Sequence, residues 1–152
     1  MPGFDYTIAI DAMGGDNSPN KIIDGLRLFL KEDQGIFFNI YGKEELVKKS
    51  LDRYTDIPQD NYKIINCKTQ IEDKNSVRDA IKVGKDSSMW RAIESIKNED
   101  SNLIISSGNT GALLVISKLI IKMIEGIDKP ALAGLWPNFK NTSVVLDLGA
   151  NI

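Results

Sequence analysis

Two spacings of apolar residues alternate along the chain. Short apolar runs recur at Thr7-Ile8-Ala9-Ile10, Ile36-Phe37-Phe38-Asn39-Ile40-Tyr41, Tyr62-Lys63-Ile64-Ile65-Asn66-Cys67 and Leu103-Ile104-Ile105. Each stops at a polar or glycine-bearing turn, the pattern of strands buried in a sheet. Between them the apolar residues return every three or four positions. Ile22, Ile23, Leu26, Phe29 and Leu30 predict a helix with Ser18 as N-cap and Pro19 in its first position, running toward Gly35. Glu44 to Arg53 predicts a shorter, charged helix resting on Leu46, Val47 and Leu51, and Ser76 to Val83 and Ser87 to Lys97 predict two helices parted near Gly84. Ala112 to Ile124 is apolar nearly all round and predicts a helix buried between layers. Ala131 to Leu135 and Ser143 to Leu146 read as two further strands.

Strands and helices alternating in this way predict an α/β fold, a mostly parallel sheet covered on both faces. The run Val144-Val145-Leu146-Asp147-Leu148-Gly149-Ala150-Asn151-Ile152 carries a strong strand signal and a loop but no closing helix. The chain is therefore expected to be the N-terminal part of a longer protein, with a sheet edge or face left uncovered.

A length of 152 residues with 42% hydrophobic and 26% charged residues fits one ordinary domain and excludes collagen-like, low-complexity and disordered classes. With 19 basic against 21 acidic residues the net charge is -2, so nucleic acid is not an expected partner. The chain has no His, which removes Ser-His-Asp triads, Cys-His dyads and His-rich zinc sites at once. Chemistry falls to carboxylates, Lys, Arg, hydroxyls, amides and backbone groups, and neither a metal nor a cofactor is expected. Cys67, the single cysteine, reads as a reduced, buried hydrophobe. Met1 to Tyr6 shows no basic stretch leading into an apolar one, so a cytoplasmic location is expected. Gly111 to Ile124 falls short of the ~20 residues that span a bilayer and carries Lys118 and Lys122, best read as snorkelling from a helix edge.

In an open parallel sheet, ligands bind outside the carboxyl ends of the strands. Three strand-end loops stand out: Asp11, Gly14, Gly15 and Asp16; Ser106, Ser107, Gly108, Asn109, Thr110 and Gly111; and Asp147, Gly149 and Asn151. The second leads small hydroxyl residues and glycines directly into a helix, which makes either a phosphate or oxyanion cradle or a tight turn capped by Ser107 or Asn109. It matches neither the dinucleotide fingerprint nor the P-loop. The aspartates can position a substrate, hold Mg²⁺ or act as bases, or they can cap turns. Lys85, Ser87 and Ser88 offer a cation and hydroxyls to the same cleft, with helix capping by Ser87 the plainer role. Trp90 and Trp136 read as core side chains before acyl-pocket ones.

Five blocks carry a resemblance: Asp11-Ala12-Met13-Gly14-Gly15-Asp16, Ser87-Ser88-Met89, Ser106-Ser107-Gly108-Asn109-Thr110-Gly111-Ala112, Gly126-Ile127-Asp128-Lys129-Pro130-Ala131-Leu132-Ala133 and Leu146-Asp147-Leu148-Gly149-Ala150-Asn151. Together they closely resemble the bacterial PlsX family of phosphate acyltransferases. The resemblance spans residues 1–152, the N-terminal part of the family's α/β domain, with the C-terminal half absent. It implies a Rossmann-like three-layer α/β/α sandwich similar to phosphotransacetylase and isocitrate dehydrogenase. It also implies transfer of a long-chain fatty acyl group from acyl carrier protein to inorganic phosphate, giving acyl phosphate for phospholipid synthesis. The implied state is a homodimer, cytoplasmic and held peripherally at the inner face of the membrane through the missing half. Many family members have His and Ala where this chain has Asn17 and Ser18.

Phosphate is already an anionic nucleophile, so its attack on a thioester asks for positioning and oxyanion stabilisation more than for a strong base. On this reading Ser107, Gly108, Asn109 and Thr110 hold phosphate or the oxyanion, with Asn109 a catalytic donor. Lys85 compensates charge, and Asp11, Asp16, Asp147 and Asn151 order the loops and hydrogen-bond the reacting groups. Gly14, Gly15, Ser87, Ser88, Ser106, Gly111 and Gly149 complete the substrate-binding set. A phosphotransacetylase-like enzyme acting on small acyl-CoA, and a non-catalytic fragment, are the alternatives; the 152 residues alone are expected to be inactive.

Overall fold

The computed structural model describes residues 3–72, 74–146 and 148. In chain order its elements are β1 (Tyr6–Asp11), α1 (Asn20–Leu30), β2 (Ile36–Gly42), α2 (Glu44–Leu51), β3 (Tyr62–Asn66), α3 (Val77–Val83), α4 (Ser88–Lys97), β4 (Leu103–Ser106), α5 (Thr110–Ile120), β5 (Ala133–Pro137) and β6 (Thr142–Leu146). The first four strands form one parallel sheet in the order β3-β2-β1-β4.

The period of two along each strand sorts the side chains onto two cores. Ile8, Ile10, Phe38 and Ile40 face α1 and α2, meeting Ile23, Leu26, Leu30, Val47 and Leu51. Ala9, Tyr41 and Cys67 face the other way, onto Ala92 of α4. Beyond α4, Met89 and Ile93 pack with Ala80 of α3 and with Ala112, Ile116 and Ile120 of α5. The expected three-layer α/β/α arrangement is what forms, and Cys67 sits in it as a buried thiol.

Three local expectations are corrected. Helix α1 starts at Asn20 with Pro19 as its N-cap and no side-chain cap bond. Ser18 instead turns its hydroxyl onto the Gly14 carbonyl, tying the preceding loop. The apolar helix after β4 is not buried between layers: α5 buries only the stripe Ala112, Ile116 and Ile120, while Leu119 remains exposed. Finally, β5 and β6 lie outside the parallel sheet and pair with each other antiparallel. Residues 138–141, which join them, are too few for a parallel crossover. The Asn138 side chain closes that turn by accepting from the N–H groups of Lys140 at 3.0 Å and Asn141 at 2.8 Å.

From β1 the chain proceeds to β2 and β3 on one side, then crosses back to place β4 on the other side of β1. The helices that follow β1 and β4 pack on opposite faces. Such a switch in strand order opens a crevice above the carboxyl ends of the two strands. Both the aspartate-glycine loop and the hydroxyl-glycine loop open onto it.

Candidate functional site

The strand register sets the floor of the crevice. Asp11 and Ser106 are paired residues at the ends of β1 and β4, and the Ser106 hydroxyl donates to Asp11 Oδ2 at 2.8 Å. The Met13 N–H donates to Asp11 Oδ1 at 3.2 Å, and the Ser88 hydroxyl adds a further bond to the same carboxyl group. Asp11 is 1% exposed, and among the described residues no Lys or Arg pairs with it. Burial without a cation pushes its carboxyl above the ordinary carboxylate range, against the lowering pull of Ser88, Ser106 and Met13. From that position Asp11 orders the loops from beneath.

Above Asp11 the two loops touch backbone to backbone. A Cβ on Gly14 would stand 2.7 Å from the Gly108 nitrogen and 2.8 Å from Asp11 Oδ2. Gly15, with φ +76°, would bring a Cβ to 2.5 Å from the Ser107 carbonyl oxygen and 2.8 Å from Lys21 Nζ. Any side chain at either position forces the loops apart. The Gly108 N–H completes the joint by donating to Ser106 Oγ at 3.2 Å. Asp11, Ser106 and Gly108 therefore form one hydrogen-bonded chain from the buried carboxylate to the loop backbone.

The N-terminus of α5 faces the crevice. Asn109 is its N-cap, accepting from the Ala112 N–H at 2.9 Å through Oδ1, while its Nδ2 donates to the Asn75 carbonyl at 3.1 Å and braces the segment before α3. The capping role thus falls on Asn109. First-turn N–H groups have no partner inside their own helix, and those of Thr110 and Gly111 meet no acceptor among the described residues. They and the exposed Ser107 present donors at the positive end of an eleven-residue helix.

The other predicted residues separate into those near this joint and those apart from it. Ser88 lies beneath it on Asp11, and Ser87 is buried as the cap of α4, accepting from the Trp90 N–H at 3.2 Å. Asp16 is exposed and lines an open cleft of about 320 Å³ with Met13, Gly15, Gln70, Glu72 and Lys74. Lys85 is on the exposed surface of the turn Gly84–Asp86, and no hydrogen bond or ion pair joins it to either loop among the described residues. Asp147, Gly149 and Asn151 lie outside the described residues. Trp90 packs beside the α4–α5 core and Trp136 is on the hairpin surface, so the two share no pocket. Lys118 donates to the Asp128 carbonyl at 3.0 Å.

The sequence reading missed Lys21. It stands two residues beyond Pro19 in the first turn of α1, and only the fold of the Gly14–Gly15 loop brings its ammonium group beside Ser107. Its position in the helix that follows an aspartate-glycine loop was the available signal. Among the described residues no group of three or more His, Cys, Asp or Glu is placed to hold a metal, and no helix is long and apolar enough to cross a membrane.

Residues 6–152 match the protein family described as "Fatty acid synthesis protein". The chain is 53% identical over 145 residues to a phosphate acyltransferase of Pelagibacter ubique, covering 95% of this chain and 43% of that protein. It is 42% identical over 149 residues to one of Ehrlichia ruminantium, at 96% and 43% coverage. With one of Mesorhizobium japonicum it shares 39% over 146 residues, at 95% and 41%. The chain thus spans about two fifths of the length of these relatives.

Proposed function

The chain belongs to the fatty acid synthesis protein family, and on that premise we propose that the crevice over β1 and β4 is the phosphate-binding part of a phosphate acyltransferase site. The reaction is transfer of a long-chain fatty acyl group from acyl carrier protein to inorganic phosphate. The observation that carries this reading is the Gly14–Gly108 joint beside the N-terminus of α5, where the N–H groups of Thr110 and Gly111 meet no acceptor among the described residues and Ser107 is exposed. A dianion there gains both hydrogen bonds and the helix field.

In the step proposed, a phosphate oxygen attacks the thioester carbonyl carbon and a tetrahedral oxyanion forms. The C–S bond then breaks, and the carrier's thiolate leaves and takes a proton from water. Donors fixed before the reaction stabilise the oxyanion without reorganising, the main source of rate in such sites. Because phosphate is already charged, no base is required, which fits a chain without His. The charge on phosphate is met by Lys21, whose ammonium group adjoins Gly15, in preference to Lys85, which no hydrogen bond or ion pair joins to either loop among the described residues.

The test is acyl phosphate formation from palmitoyl-acyl carrier protein and phosphate. It compares the 152-residue chain with the same chain joined to the part of the Pelagibacter ubique relative beyond the match. The fusion is expected to form acyl phosphate, and Asn109→Ala in it to lower turnover by about 10²-fold. A folded fusion with no activity contradicts the proposal; faster turnover with acetyl-CoA than with the carrier thioester favours a phosphotransacetylase-like reading instead.

A further inference from the structure

Ser106 stands between a sealed carboxyl group and the open loop. Asp11 is roofed by Gly14, where a Cβ would come within 2.8 Å of Oδ2. Ser106 is half-buried at the carboxyl end of β4, on the loop side of the bond it makes to Asp11. A hydroxyl has one hydrogen and two acceptor positions, and a carboxylate only accepts. While Asp11 is ionised, the Ser106 hydrogen is therefore committed to Oδ2 at 2.8 Å, and Oγ takes the Gly108 N–H at 3.2 Å. Nothing of Ser106 is then left to donate to an anion in the loop. A proton on Asp11 Oδ2 reverses the bond. The carboxyl O–H donates to Ser106 Oγ, which keeps the Gly108 N–H, and the Ser106 hydrogen is released. The Met13 N–H, on Oδ1, is undisturbed by the change.

We infer that the crevice takes up its anion together with a proton: Asp11 protonates as the anion enters, and the Ser106 hydroxyl turns from Asp11 to the anion beside the first turn of α5. This inference rests on the anion reading of the loops. A dianion brought near a buried carboxylate disfavours the ionised form, and no Lys or Arg pairs with Asp11 among the described residues to offset it. Burial already holds the carboxyl group above the ordinary carboxylate range, against the pull of Ser88, Ser106 and Met13. Of the titratable groups on the neighbouring elements, Tyr41, its register partner in β2, hydrogen-bonds Ser95. Arg91 of α4 donates to the Asn66 carbonyl at 2.6 Å. Burial, with the Asp11 charge, pushes the Cys67 thiol up against the pull of Arg91. Lys21, beside Gly15, and the exposed Asp16 belong to the loop above.

The experiment titrates the 152-residue chain with sodium sulfate, a dianion that, unlike phosphate, does not itself titrate between about pH 5 and about pH 9. Calorimetry in paired buffers of different ionisation enthalpy counts the protons exchanged. Uptake is expected to rise to about one proton per sulfate above the raised Asp11 value, with affinity falling about tenfold per pH unit there. Asp11→Asn, whose amide donates permanently to Ser106, is expected to bind sulfate without proton uptake, at every pH as tightly as the parent chain does at low pH. Ser106→Ala is expected to lose about 10- to 10²-fold at low pH and little at high pH. Sulfate binding without proton uptake by the parent chain overturns the inference while leaving the anion reading intact. Uptake that survives Asp11→Asn with unchanged melting puts the proton on another group, such as Asp16 or Lys21, and overturns it too. A Ser106→Ala chain that keeps the full gain in affinity at low pH overturns the hydroxyl switch. The proton count on the parent chain stands whether or not the variants fold. If neither sulfate nor phosphate binds, the anion reading and this inference fail together.

Discussion

The parallel sheet and the β5–β6 hairpin are built from similar residues and end in opposite surroundings. In β1 and β2, Ile8, Ile10, Phe38 and Ile40 are buried by α1 and α2. In β5 and β6, Leu135, Trp136, Val144 and Leu146 lie on the surface, with Trp136 62% exposed. The connections differ as well. A parallel crossover carries a helix back over the strands it joins, whereas a short hairpin loop carries none. The same crossovers gather strand ends and helix N-termini on one edge, so the sheet that buries its side chains is also the one with a crevice. Burial and site have a common topological origin at the β1/β4 switch.

The comparison breaks most visibly at the joint between the loops. Gly14→Val places side-chain atoms against the Gly108 nitrogen. The displacement is expected to cost about 10²-fold in the acyl phosphate formation proposed for the fusion, since a shift of about 1 Å in a positioning element has that effect. In the sheet, Ile40→Ala empties a fully buried position and is expected to cost about 2–5 kcal/mol, read from denaturant unfolding. Asp11→Ala leaves the Ser106 hydroxyl and the Met13 N–H without their acceptor, an expected loss of about 1–3 kcal/mol.

Asp11→Asn sharpens the electrostatic side. Because burial raises the Asp11 carboxyl in the folded state, the folded chain holds that proton more tightly than the unfolded one. Stability is then lost as pH rises from the ordinary carboxylate range through the raised value. The variant is expected to lack this part of the decline, and parallel stability–pH curves for the two proteins would contradict it. In the hairpin, Trp136→Ser removes a surface side chain and is expected to change stability by less than about 0.5 kcal/mol.

The strands and the hydroxyl-glycine loop after β4 were legible in the sequence because each rests on a local signal. The strands were carried by apolar runs ending in turns, and the loop by Ser106 to Gly111 leading into an apolar helix. The Asp11–Ser106 bond was not legible. It joins residues 95 apart, through a register that no local pattern encodes. Lys21 was missed for the same reason, since its helical position gives no hint of the Gly15 turn that meets it. The exposure of Leu119 was also out of reach, because apolar spacing marks which side chains seek a partner and not which elements supply one.

The most direct measurement is a titration of the chain with inorganic phosphate, followed through the backbone amide resonances of residues 106–111. The account predicts saturable shifts centred on Thr110 and Gly111, abolished by Gly14→Val. Saturable shifts confined to other parts of the chain, or none at these two amides in the folded protein, would contradict the claim that the β1 and β4 loops form an anion site.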